Sequence, residues 1–200
     1  KRQLFESERL IKKWHDASDF ALSQIALAPC SPFSVTPQLM RATAEMSNKT
    51  GVALHTHLAE TEDEVAFCLE KYGVRPLEFL DDCDWLTPNA WFAHSIHLTQ
   101  QEISLLGARQ CSVSHCPSSN MVLSSGVCKV KELTAAGVSV GLAVDGSASN
   151  DHSNLIQETR QAFLLQRLFN SDFTHLDALR MATLGGSEVL SRPVLGHLNV

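Results

Sequence analysis

Five times along this 200-residue chain a short, apolar, β-rich run gives way to a helical stretch. The runs are Ile25 to Ala28, Gly51 to Leu58, Ala90 to His94, Cys111 to His115 and Gly137 to Asp145. Helices are expected from Thr36 to Asn48, onward from Thr61, from Arg75 to Asp81, from Thr99 to Ala108, from Lys129 to Ala136 and from Asn154 to Phe169. A charged amphipathic helix, Lys1 to Ser18, leads in, and a last one, His175 to Leu184, is expected to stop at Gly185 and Gly186. Pro37 suits a first helical turn, and Thr61 to Glu64 and Thr99 to Glu102 both read as capping boxes. Strands separated by helices pair in parallel, with the helices as crossovers. Strands this apolar are buried on both faces.

A (β/α)₈ barrel and a doubly wound open sheet share that pattern. No GxGxxG follows a strand, which removes support from the dinucleotide-binding version. Polar residues instead gather just past successive strand ends: Cys30 and Ser31, then His57 and Glu60, then His94, His115 and Asp145. Barrel enzymes carry their chemistry at that rim. A complete barrel needs about 250 residues. The expected fold is therefore α/β, a partial (β/α)₈ TIM barrel holding strands 4 to 8 with their helices. Residues 1–200 would form the C-terminal part of one barrel domain.

Composition narrows the partners. With 44% hydrophobic residues the chain can bury a core, and its net charge of −6 offers no broad basic field for nucleic acid. No apolar run reaches membrane-spanning length, and no basic start precedes an apolar stretch as in a secretory signal. The six cysteines make no CxxC pair. Cys111 and Cys116, with His115 between, lack the second half of a zinc finger. Reduced thiols in a cytoplasmic enzyme are the plainer reading.

Each rim residue has a plain structural alternative. Side chains two apart in a strand share a face, so His55 and His57 point the same way, with Glu60 three residues further on. His57 could be a core histidine bonded to a carbonyl, and Glu60 a charge favoured by a helix N-terminus. His94 alone is more often a satisfied histidine. His97 lies past the strand end and reads as a loop residue, and His55 as a barrel-interior or pocket histidine. The string Cys116 to Asn120 reads as a polar, unhelical loop facing substrate. Asp145 closes an apolar strand with no Arg or Lys nearby in sequence. It is a metal ligand or the N-cap of the turn that follows. Taken together, successive strands present such a group at one rim, and an imidazole beside a carboxylate is what hydrolytic metal chemistry requires.

Four motifs sharpen this reading: His55-Thr-His-Leu-Ala-Glu60, Ala93-His-Ser-Ile-His-Leu98, Ser114-His-Cys-Pro-Ser-Ser-Asn-Met121 and Val144-Asp-Gly-Ser-Ala-Ser-Asn-Asp151. With them the chain resembles the amidohydrolase superfamily, in the branch of guanine deaminase, adenosylhomocysteine deaminase and the triazine hydrolases. The likeness runs from Ala28 to Leu198. It implies that His57 and Asp145 bind one divalent ion, zinc with iron as the alternative. It implies that Glu60 shuttles protons, that His94 contacts the bound water or substrate oxygen, and that Asp145 also takes the water's proton. The catalytic set is then Glu60, His94 and Asp145. The family's other two metal ligands form a His-x-His after the first strand, and His55-Thr-His57 is not that motif. Most of the small β-sandwich flanking the family's barrel is also missing.

The implied reaction is deamination of a purine-like heterocycle by a metal-activated water, with 8-oxoguanine first and an s-triazine as the alternative. Relatives acting on guanine carry Arg before the fourth-strand Phe. Here Pro32 precedes Phe33, which counts against guanine itself. Cys30, Ser31, His115, Ser118 and Asn120 are the expected substrate contacts. A homo-oligomer is expected for the full-length protein, and no turnover from these 200 residues alone. A barrel reduced to a catalytically inactive scaffold would be expected to have lost metal ligands.

Overall fold

The computed structural model describes residues 2–198; Lys1, the expected start of the first helix, lies outside them. Five strands, β1 (Ala26–Leu27), β2 (Ala53–Leu58), β3 (Ala90–His94), β4 (Ser112–His115) and β5 (Ser139–Leu142), form one sheet. Every pairing is parallel, and the spatial order is β1-β2-β3-β4-β5. A doubly wound sheet must reverse its order at a switch point. This sheet never reverses, so it is a run of barrel staves.

The crossovers are α2 (Pro37–Thr50), α3 (Glu62–Tyr72) with α4 (Pro76–Asp81), α5 (Gln100–Ala108), and α6 (Pro117–Val122) with α7 (Val130–Ala135). Before and after the sheet stand α1 (Arg2–Trp14) and α8 (Leu155–Arg167), α9 (His175–Arg180) and α10 (Gly186–Val189). Sequence fixes several of these ends. Thr36 accepts the Leu39 amide, Pro37 sits in the first turn, and Gly51 closes α2 at φ 75°. The box at Thr99 and Glu102 forms in full. At Thr61 only half forms: the hydroxyl accepts the Glu64 amide, but the Glu64 carboxylate reaches back to the amide of Glu60.

Strand alternation divides the sheet into two faces. Leu54, Leu58, Phe92, Val113 and Val140 point outward and pack with Met40, Leu77, Leu80, Ile103, Leu106 and Leu133 as a buried core. Each such side chain contributes about 1.5–3 kcal/mol by leaving water. The other face carries His55, His57, Trp91, Ala93 and Ser114 toward a cavity of about 760 Å³. Among the described residues no helix is long and apolar enough to cross a membrane. All six cysteines are free. Burial pushes the thiols of Cys68, Cys111 and Cys128 up to about 12, which leaves them unreactive.

Two further expectations need correction. Gly185 and Gly186 do not stop the last helix, which runs on through a π-helical turn, Met181–Gly185, into α10. Their small size serves packing instead. A Cβ on Gly185 would stand 2.2 Å from the Val140 carbonyl oxygen, and one on Gly141 would stand 3.0 Å from the Gly186 Cα. The stretch Cys116 to Asn120 is not an unhelical loop either. Pro117 opens the short helix α6, where its fixed φ fits the first turn.

Candidate active site

The rim residues stand where strands break. Ala59, just before Glu60, has φ 47°, His94 has φ 67° and Asp145 has φ 62°. Such values are uncommon for non-glycine residues and cost of order 1–3 kcal/mol each. They end the extended alternation, so side chains from three strand ends can turn toward one point. One ligand atom from each of His57, His94 and Asp145 lies within 4.8 Å of the others. His94 Nε2 stands 3.7 Å from Glu60 Oε2 and 3.7 Å from Asp145 Oδ2.

Hydrogen bonds fix the chemistry of each group. The Cys30 carbonyl accepts from His57 Nδ1 at 2.7 Å, from the His57 amide at 3.0 Å and from the Thr56 hydroxyl at 3.0 Å. A ring whose Nδ1–H is donated to a carbonyl keeps its lone pair on Nε2, the form that binds metals. His94 donates Nδ1–H to Asn120 Oδ1 at 2.8 Å, so its Nε2 is likewise basic. Asp145 Oδ2 accepts the Ser119 hydroxyl at 2.5 Å. Burial pushes the Asp145 carboxyl up, but Ser119, the Gly146 amide, His94 and His57 together hold it below its usual range. Glu60 is half-buried, and Ser125 Oγ donates to its Oε1 at 3.4 Å.

The other sequence candidates separate. His55 lines the cavity, stacks on Trp91 and bonds the Trp91 carbonyl at 3.1 Å. Desolvation lowers its pKa, so it stays neutral in the barrel interior. His97 sits in a loop against the Ser125 carbonyl. Cys30 positions His57 through its backbone, while its side chain is exposed, and Ser31 is half-buried near Ser34. His115 and Asn120, expected to touch substrate, are 0% exposed. Alternation in β4 puts Ser114 on the cavity face and turns His115 away, where burial pushes its pKa down to about 3. Asn120 stands behind His94, and Ser118 gives its amide to Glu158. The sequence reading missed Ser119, Ser125 and Ser149. Ser119 lies inside a run already marked as polar, but it meets Asp145 26 residues away, and Ser125 meets Glu60 65 residues away.

A sequence profile described as "Amidohydrolase family" matches residues 2–200. The chain belongs to the amidohydrolase family. It is 53% identical over 197 residues to 8-oxoguanine deaminase of Pseudomonas aeruginosa, covering 98% of this chain and 44% of that protein. It is 39% identical over 202 residues to hydroxydechloroatrazine ethylaminohydrolase of Pseudomonas sp. strain ADP, covering 98% of this chain and 42% of that protein. A zinc-bound adenosine deaminase from Xanthomonas campestris superposes with a TM-score of 0.92 at 33% identity, over 98% of this chain and 45% of that one. The chain thus spans less than half the length of these amidohydrolase relatives.

The amidohydrolase site suits a divalent ion. Two imidazole nitrogens and a carboxylate oxygen are donors that zinc accepts. His94 Nε2 is buried and, among the described residues, has no hydrogen-bond partner. Both ring orientations are set from behind by bonds to Cys30 and Asn120.

Behind Glu60 lies a second carboxylate. Glu64 is buried, and desolvation raises its pKa to about 7 despite the amides of Ala59 and Glu60. A carboxyl at 4.5 unfolded and about 7 folded binds more protons when folded, so the wild-type protein loses stability as pH rises through that window. Glu64→Gln keeps an acceptor for the Glu60 amide and removes the titration. In the full-length protein, denaturant unfolding at pH 5 and pH 8 should show the variant gaining on wild type by on the order of 3 kcal/mol. Parallel curves would contradict this.

Proposed function

We propose that the full-length protein is a zinc-dependent aminohydrolase that deaminates a purine-like heterocycle, 8-oxoguanine first. The observation carrying this reading is the convergence of His57, His94 and Asp145 within 4.8 Å, with the Glu60 carboxylate 3.7 Å from His94. His57 and Asp145 would hold the ion. When bound, zinc lowers the pKa of a coordinated water from ~15.7 to about 7. Asp145, held ionised by its hydrogen bonds, would take a proton from that water. His94, held from behind by Asn120, would present Nε2 between the Glu60 and Asp145 carboxylates. The water's oxygen would bond the amine-bearing carbon as the C–N bond breaks, and Glu60 would relay the two protons the water gives up, one to the ring nitrogen and one, by way of Asp145, to the amine that leaves as ammonia. No serine or cysteine nucleophile is required. Of the expected pocket residues, Cys30 is exposed and Ser31 and Ser118 are half-buried.

The 53% identity to an 8-oxoguanine deaminase favours that substrate. A second reading, an s-triazine hydrolase of the same mechanism, rests on the 39% identity to an ethylaminohydrolase. Ammonia release from 8-oxoguanine and from guanine, and ethylamine release from hydroxydechloroatrazine, would separate them on the full-length protein. We expect kcat/KM for 8-oxoguanine to exceed the triazine value by about 100-fold or more. A higher triazine value would reverse the assignment.

A further inference from the structure

We infer that α6 is a positioning element, whose adjacent side chains Ser119 and Asn120 set the carboxylate of Asp145 and the imidazole of His94. Both residues are 0% exposed, so neither is placed to touch a substrate. Each grips a different candidate reactive group, at 2.5 Å for Ser119 on Asp145 and at 2.8 Å for Asn120 on His94. The two gripped groups come from β3 and from the segment after β5, so α6 reads the distance between them.

Proton accounting fixes the direction. An ionised Asp145 can only accept, so the single Ser119 proton goes to Oδ2. The Ser149 hydroxyl, 2.8 Å from Ser119 Oγ, has its own acceptors in Asp145 Oδ2 at 3.5 Å and the Gly146 carbonyl at 3.2 Å, so it joins the same cluster. The side-chain amide of Asn150 fastens the backbone, donating to the Val144 carbonyl at 2.9 Å and to Glu158 Oε1 at 2.8 Å. The other Glu158 oxygen accepts the Ser118 amide at 3.1 Å. Helix α6 is therefore tied both to the Asp145 side chain and, through Glu158 and Asn150, to the peptide preceding it. Groups that orient metal ligands from behind typically change affinity or activity by about 10–100-fold when removed.

This inference rests on the aminohydrolase reading for which groups react, and its test separates the two. In the full-length zinc protein, Ser119→Ala and Asn120→Ala should each lower kcat by about 10–100-fold with KM changed by less than about threefold. Ser119→Ala should also weaken zinc binding, measured by chelator competition, by about 10–100-fold. Ser119→Thr, which restores the hydroxyl, should recover most of both. The structural control is Ser47→Ala, which removes another buried hydroxyl from the Val52 carbonyl, 2.6 Å away, just before β2. It should lower the melting temperature and leave kcat and zinc affinity unchanged. If Ser119→Ala does not fold, Ser119→Cys, a weak donor of similar size, carries the same expectation. Variants that match Ser47→Ala, or that raise KM at constant kcat, overturn the inference. If wild type turns over none of the three heterocycles, the proposed function fails, and zinc affinity alone decides the role of α6.

Discussion

Replacing Glu60 by glutamine in the full-length protein is expected to lower kcat by about 10²–10⁴-fold while zinc stays bound as in wild type. Glu60 follows the Ala59 turn out of β2 and carries its carboxylate 3.7 Å from His94 Nε2, outside the His57, His94 and Asp145 cluster. A group so placed can pass protons across the site without holding the ion. Glutamine keeps the size and one acceptor for the Ser125 hydroxyl, so the variant should fold. Kinetics and metal analysis on the same sample give the decision. Loss of zinc would make Glu60 a ligand, and undiminished kcat would remove it from the proton path.

Replacing Asp145 by alanine should have a larger effect, because one side chain serves two purposes. It is a ligand in the candidate cluster and the ionised acceptor for the water's proton. We expect kcat to fall by at least about 10³-fold and zinc affinity by more than about 100-fold, exceeding the effect of losing an outer partner. The Ser119 hydroxyl would then turn to Ser149 Oγ, 2.8 Å away, so the alanine variant should keep that donor satisfied. Asp145→Asn keeps the shape and an acceptor, so its stability should approach wild type while its activity stays low. Zinc titration and unfolding curves for both variants separate ligand loss from misfolding. An alanine variant that keeps its zinc would contradict the role assigned to Asp145.

Much of this architecture is legible in residue order because its determinants are local. Threonine caps, Pro37 and the apolar runs act over a few residues, and they locate all five strands and most helices. The rim residues are legible for the same reason, since each lies at or just past the C-terminal end of a strand. What sequence hides is contact at a distance. Ser119 meets Asp145 across 26 positions and Ser125 meets Glu60 across 65, so polar residues on α6 and beyond look like loop residues. Gly185 reads as a helix stop because glycine often is one. Its actual role, clearance for the Val140 carbonyl, exists only once β5 and the last helix are packed. His115 reads as a rim residue facing substrate, whereas the alternation of β4 puts Ser114 on the cavity face and His115 in the buried interior.

The most direct test is anomalous diffraction at the zinc edge from crystals of the full-length protein. The ion should lie between β2 and the end of β5, with His57 Nε2 at about 2.0–2.1 Å and an Asp145 oxygen at about 2.0–2.2 Å. The Glu60 carboxylate should stand outside the coordination shell. An anomalous peak elsewhere, or one that His57 and Asp145 do not both reach, would contradict the account.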